Sequence, residues 1–182
     1  ILRRRRNNPA AAGPVEFPQP DAVLWKKAGM DITVSKGLSA LAAGHLLVTG
    51  EIEKTAPFEI DHSHMEARAG GRWIPDRTAD DQAVVMDVEN RGLVIITGCA
   101  HAGIINTLEF ARKITGTDHV HAVLGGFHLP LPDFGEVIGP TIWAMQRIGP
   151  DYIVPMHCTG HEATCRFMAA MPDQCILNTV GT

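Results

Sequence analysis

From residue 81 onward the apolar positions of this chain switch repeatedly between a period of two and a period of 3.6. Residues 81–88 and 93–97 are short β-branched runs of strand type, and Glu89-Asn90-Arg91-Gly92 between them has the composition of a hairpin turn, so the pair is predicted antiparallel. Ile104, Ile105, Leu108, Phe110, Ala111 and Ile114 then recur at helical spacing, with Gly116 as the left-handed stop. A strand at 120–124, a helix at 136–148 carrying Val137, Ile138, Ile142, Trp143, Met145 and Ile148, and a strand at 152–154 follow. A helix at 162–171 ends before Pro172, and 175–177 reads as a last short strand. Before residue 81 the pattern is weaker. Residues 1–22, rich in Arg, Asn, Pro and Ala, read as a surface loop or arm; 21–28 as a short helix; 32–34 and 44–49 as strands; and 50–80 as a polar, irregular insertion. Early hairpins followed by strand–helix alternation predict a mixed α/β layered fold, in one domain whose core strands and helices lie in 81–182.

Three of the strands end in the same way. Leu93 to Thr97 runs into Gly98-Cys99-Ala100-His101, the strand at 120–124 into Gly125-Gly126-Phe127-His128, and the strand at 152–154 into Pro155-Met156-His157-Cys158-Thr159-Gly160. In layered α/β folds this edge of the sheet is where sites are built. Three strand ends, each followed by a histidine, predict one metal site assembled from distant parts of the chain. His101, between two glycines that let the backbone turn sharply, is either a neutral imidazole ligand for zinc, iron or manganese or a support for the turn. His157 has the same choice, and Thr159 beside it offers a hydroxyl for an anion at a helix start. His128 is a ligand, a general acid/base or a substrate contact. Cys99 ligates as a thiolate or packs inertly. Asp80 and Asp81, ahead of a strand, supply a carboxylate or a turn. His62 and His64 alternate in Asp61-His62-Ser63-His64, yet no strand holds them, and rigid sites need ligands on packed elements. His45, His119 and His121 read as structural.

Composition narrows the partners. With 45% hydrophobic and 20% charged residues the 182-residue chain has the balance of a globular protein with a sizeable core. A net charge of −4 gives no reason to expect nucleic acid, and the run Arg3 to Arg6 reads as a solvated arm. No apolar run approaches the ~20 residues of a membrane span, and the N-terminus lacks the apolar stretch of a signal peptide. The four cysteines have no paired spacing, which argues for free thiols and a reducing, cytoplasmic setting.

Taken together, Thr49-Gly50-Glu51-Ile52 with Phe58-Glu59, Asp81-Gln82-Ala83, residues 92–106, residues 125–129, His157-Cys158-Thr159-Gly160 and Val180-Gly181-Thr182 resemble the metallo-β-lactamase superfamily. They are most similar to its branch of metal-dependent hydrolases and 7,8-dihydropterin-6-methyl-4-(β-D-ribofuranosyl)aminobenzene 5′-phosphate synthases. The resemblance implies an αββα sandwich with one or two divalent metals at the sheet edge. It implies His101 and His157 as metal ligands, Cys99 at the position of the bridging aspartate, and His128 in substrate or acid/base work beside a carboxylate such as Asp81. Gly126, Cys158 and Thr159 would face the substrate, a small molecule that is phosphorylated or pterin-like. The superfamily's HxHxDH motif is absent. The chain is therefore expected to be the C-terminal part of such a domain, its N-terminal half-sandwich missing, and inactive alone. Either a hydrolase or a synthase-like transferase fits these residues. The alternative is a non-catalytic partner-binding domain with a degenerate metal site.

Overall fold

The computed structural model describes residues 3–7, 13–19, 21–59 and 64–179, which divide into two compact units. His62 and the Val180-Gly181-Thr182 segment lie outside the described residues.

The first unit, Ile1–Ser35 with Asp61–Thr78, holds a four-stranded antiparallel sheet of order β2-β1-β5-β6, built from β1 (Arg4–Arg6), β2 (Val15–Glu16), β5 (Met65–Ala69) and β6 (Arg72–Pro75). The Arg3 to Arg6 run is thus not a solvated arm. Arg4 bonds the buried carboxylate of Asp76, and Arg5 bonds Glu66 at 2.6 Å while its guanidinium lies 4.4 Å over the Trp73 ring. The expectation of an irregular 50–80 passage is corrected by the β5–β6 hairpin, which turns at Gly70-Gly71, both with positive φ. Helix α1 (Ala22–Lys27) is capped by Asp21, which accepts from the Val23 and Leu24 amides, and buries none of its residues. Residues 32–34 form no strand, and Val34 is exposed.

The second unit, Lys36–Ile60 with Ala79–Thr182, holds a mixed six-stranded sheet of order β10-β9-β8-β7-β4-β3. Its strands are β3 (Ser39–Leu41), β4 (Leu46–Val48), β7 (Ala83–Val88), β8 (Gly92–Thr97), β9 (Val120–Gly126) and β10 (Tyr152–Met156). β7 and β8 form the predicted antiparallel hairpin, whereas β8, β9 and β10 run parallel. Parallel neighbours need a crossover, and helices α2 (Ile104–Thr115) and α3 (Gly135–Ile148) supply the two here. Helix α4 (His161–Ala170) follows β10, and Cys175 makes a single bridge to Ile153 in place of the expected strand at 175–177.

Alternation along β8 sets the core. Leu93 and Ile95 are fully buried, while Ile96 between them and Thr97 faces the other way and is 42% exposed. Against that buried face pack Ile104, Leu108 and Ala111 of α2, Ile138 and Met145 of α3, and Phe167 of α4, whose ring meets Phe127 edge-on at 5.6 Å. Trp143, expected in the core stripe of α3, instead lies on the solvent side, where Arg147 stacks on it at 4.7 Å.

The head of α2 is satisfied by side chains from elsewhere in the chain. Gly103 caps it with no side-chain oxygen to offer. The Glu59 carboxylate accepts from the Ile105 amide (2.8 Å) and the Asn106 amide (2.7 Å). The fully buried Asn106 in turn accepts from the Thr55 and Ala56 amides, each at 2.7 Å, and donates to the Ala102 carbonyl at 2.8 Å. A Cβ on Gly103 would collide with the Glu59 carboxyl, so the close approach requires glycine.

Replacing Asn106 with leucine leaves the part-buried Thr55 and Ala56 amides without their acceptor and the buried Ala102 carbonyl without its side-chain donor. The expected loss is on the order of 3 kcal/mol of stability, read from the urea midpoint; a loss below about 1 kcal/mol would show that the 53–59 loop finds other partners.

Candidate metal centre

Three loops leave the C-terminal ends of the parallel strands β8, β9 and β10, and hydrogen bonds lace them together. The Gly126 amide donates to the Gly98 carbonyl at 2.9 Å, and the Thr97 hydroxyl donates to the Gly126 carbonyl at 3.1 Å. The third loop is tied in by Thr159, whose hydroxyl donates to the Met156 carbonyl (2.8 Å) and accepts from the Phe127 amide (3.0 Å). Thr159 is wholly buried. Its hydroxyl is committed to bracing, not to an anion.

Each loop also carries one strained residue. Among the described residues seven non-glycine positions have positive φ, and three of them are Ala100 (53°), His128 (44°) and His157 (49°), one per loop. Left-handed backbone at a residue with a Cβ costs on the order of 1–3 kcal/mol and persists where surrounding contacts impose it, commonly at functional sites.

The loops bring chemistry together at one place. The ligand atoms of Cys99, His128 and Cys158 all lie within 4.8 Å of one another, and all three side chains are half-buried. The His101 ring meets the His128 ring edge-on at 4.5 Å, and Phe134 flanks His128 on another side at 5.3 Å. Gly126 makes the convergence possible, because a Cβ there would come within 2.6 Å of the Cys158 sulfur and 2.7 Å of the Gly98 carbonyl oxygen. Gly126 is itself buried, so its contribution is room. His157 sits in the 3-10 turn His157–Thr159, next to Cys158, and is exposed. Asp81 accepts from the Ala102 amide at 2.9 Å and so holds the turn that carries His101.

Burial sets the proton affinities of the acids around these loops. It pushes the Cys158 thiol up to about 12, helped by the neighbouring Cys99, so Cys158 is a neutral thiol. Burial also raises the Asp81 carboxyl, against the pull of the Ala102 amide and of His101. Glu59 is raised to about 7 because desolvation outweighs the amides it accepts from.

Of the residues singled out in the sequence, Cys99, His101, His128 and Cys158 are brought into one cluster, with His157 and Asp81 at its borders. The sequence reading placed Cys158 with the substrate; the structure places its sulfur beside Cys99 and His128. It gave Glu59 no role, since nothing local signals a carboxylate that acts 46 and 47 residues later in the chain.

No family model matches the chain. Over 98 residues it is 40% identical to the 7,8-dihydropterin-6-methyl-4-(β-D-ribofuranosyl)-aminobenzene-5′-phosphate synthase of Methanocaldococcus jannaschii, covering 54% of this chain and 33% of that protein. Over 125 residues it is 31% identical to an uncharacterized protein of the same organism, covering 65% of this chain and 41% of the other. The chain therefore matches only a third to two fifths of the length of these curated relatives. The crystal structure of a metal-dependent hydrolase of the β-lactamase superfamily superposes on the whole chain with a TM-score of 0.78 at 20% identity, and 66% of that structure is covered.

Because Glu59 holds its proton more tightly in the folded chain than in the unfolded one, it makes stability fall as pH rises from about 4.5 to about 7, with no further change above that. Glu59→Gln should flatten this part of the profile, measured by urea unfolding across that range; an unchanged slope would assign it to other groups.

Proposed function

From the metallo-β-lactamase fold that the chain shares, and from its resemblance to the branch containing the pterin-linked synthases, we propose that it supplies the metal-binding edge of a metal-dependent enzyme acting on a small phosphorylated molecule. The observation that carries this reading is the convergence of His101, His128, Cys99 and Cys158 from separate loops held in strained backbone.

The donors fit a borderline divalent ion. Two imidazoles and two sulfurs suit zinc or iron(II) better than manganese, which favours oxygen ligands. His101 and His128 are the readiest donors, since neutral imidazole needs no deprotonation at its lone pair, and the exposed His157, next to Cys158 on the third loop, is the further imidazole we assign to the ion. Cys158, held as a thiol, lines the centre and would ligate only if an ion displaced its proton. When bound, the ion supplies Lewis-acid stabilisation of charge on a phosphoryl oxygen or a departing diphosphate. Asp81 orients the His101 turn through the Ala102 amide and is the carboxyl we assign to proton transfer, while Phe134 packs against one side of His128. Cys99 and Cys158, both free thiols, are chemistry for a reducing compartment. The synthase name of one relative favours a phosphorylated, pterin-like substrate; the hydrolase name of the solved neighbour favours water as the acceptor.

His128 divides the two roles open to it. As a ligand, His128→Ala should lose most of the bound zinc or iron, read by elemental analysis of the purified chain. As a proton carrier alone, the variant should keep its metal. Retention of metal in both His128→Ala and His101→Ala would remove the centre proposed here.

A further inference from the structure

At the opposite ends of the same strands lies a second cluster. His119 immediately precedes β9 and His121 is its second residue, so the two share one face of the strand, and Asp151 immediately precedes the parallel neighbour β10. The sequence reading took both histidines as structural. Asp151, 32 and 30 residues further on, changes their chemistry: its Oδ2 accepts from His119 Nε2 at 3.1 Å and from His121 Nδ1 at 2.7 Å. The three ligand atoms lie within 4.8 Å of one another.

We propose that His119, His121 and Asp151 form a second, solvent-facing site for a borderline divalent cation such as zinc, nickel or cobalt, separate from the loops that follow β8, β9 and β10. Two imidazoles on alternate strand positions with a carboxylate on the adjacent strand are a three-donor set that leaves a fourth position to water. The frame is rigid. His121 is backed edge-on by Tyr152 at 5.4 Å, and the two strands are hydrogen-bonded in register from Ala122 and Tyr152 onward. The surroundings are acidic: the two pockets that meet at Asp151 are lined by Asp87, Glu89, Asp151 and Asp173 against a single cation, Arg91. An ion entering the site takes the place of the two shared hydrogens; each neutral imidazole then carries its proton on its other ring nitrogen, and no redox partner is needed.

Cobalt(II) separates this site from the cysteine-lined one, because thiolate ligation gives a ligand-to-metal charge-transfer band that imidazole and carboxylate do not. In equilibrium dialysis of the full chain, His119→Asn/His121→Asn should bind one fewer equivalent of cobalt than the parent, with any charge-transfer band unchanged. Asp151→Asn should weaken the same equivalent at least tenfold. Equal uptake by the parent and the double variant overturns the proposal, whether or not the cysteine-lined centre binds. Should the double variant fail to fold by circular dichroism, the exposed single change His119→Asn carries the test: at least tenfold weaker cobalt binding supports the site, and an unchanged isotherm overturns it.

Discussion

The head of α2 is the constraint on which the second unit depends. A helix presents unpaired amides at its start, and here the capping residue is a glycine with nothing to offer them. Two carboxylates brace this corner, one on the helix amides and one on the turn that leads into them. Glu59 reaches in from the 53–59 loop to the Ile105 and Asn106 amides, and Asp81 comes from just before β7 to the Ala102 amide. Asn106 then returns the contact, accepting from the Thr55 and Ala56 amides of that loop. His101 sits one residue before the Ala102 amide that Asp81 holds. The placement of the first loop of the candidate centre therefore rests on two carboxylates that lie far from it in the chain.

Much of this architecture was legible from hydrophobic periodicity. The β7–β8 hairpin, the three core helices and the parallel strands around α2 and α3 each carry a local signal, because Leu93, Ile95, Leu108 and Ile138 mark the buried side of their own elements. What was not legible depends on partners distant in sequence. Arg4 and Arg5 look like a solvated run until Asp76 and Glu66 are placed across the sheet from them. The β5–β6 hairpin has only a faint alternation to announce it, Met65, Ala67 and Ala69 against Glu66 and Arg68, because two of its three inward positions are small alanines.

The candidate site divides along the same line. His101, His128 and His157 could be found because each follows a strand that identifies itself. The packing of the Cys158 sulfur against Gly126, the commitment of the Thr159 hydroxyl and the pairing of Asp151 with two histidines are facts of tertiary contact. Strain points the same way. The left-handed backbone at Ala100, His128 and His157 has no sequence signature, since none of the three is a glycine.

The span between Glu59 and α2 bears on the order of folding. β8, α2 and β9 are neighbours in sequence and can assemble through short-range contacts, whereas the first turn of α2 waits for a carboxylate 46 residues upstream to return. Closing so long a loop costs chain entropy before any contact repays it. The buried middle of α2, with Leu108 in the core, thus draws on contacts local in the chain, whereas its first turn also needs a long-range one. Since His101 lies next to that turn, the first loop of the candidate metal centre is held by contacts that carry a larger loop-closure cost than those of β8, α2 and β9 themselves.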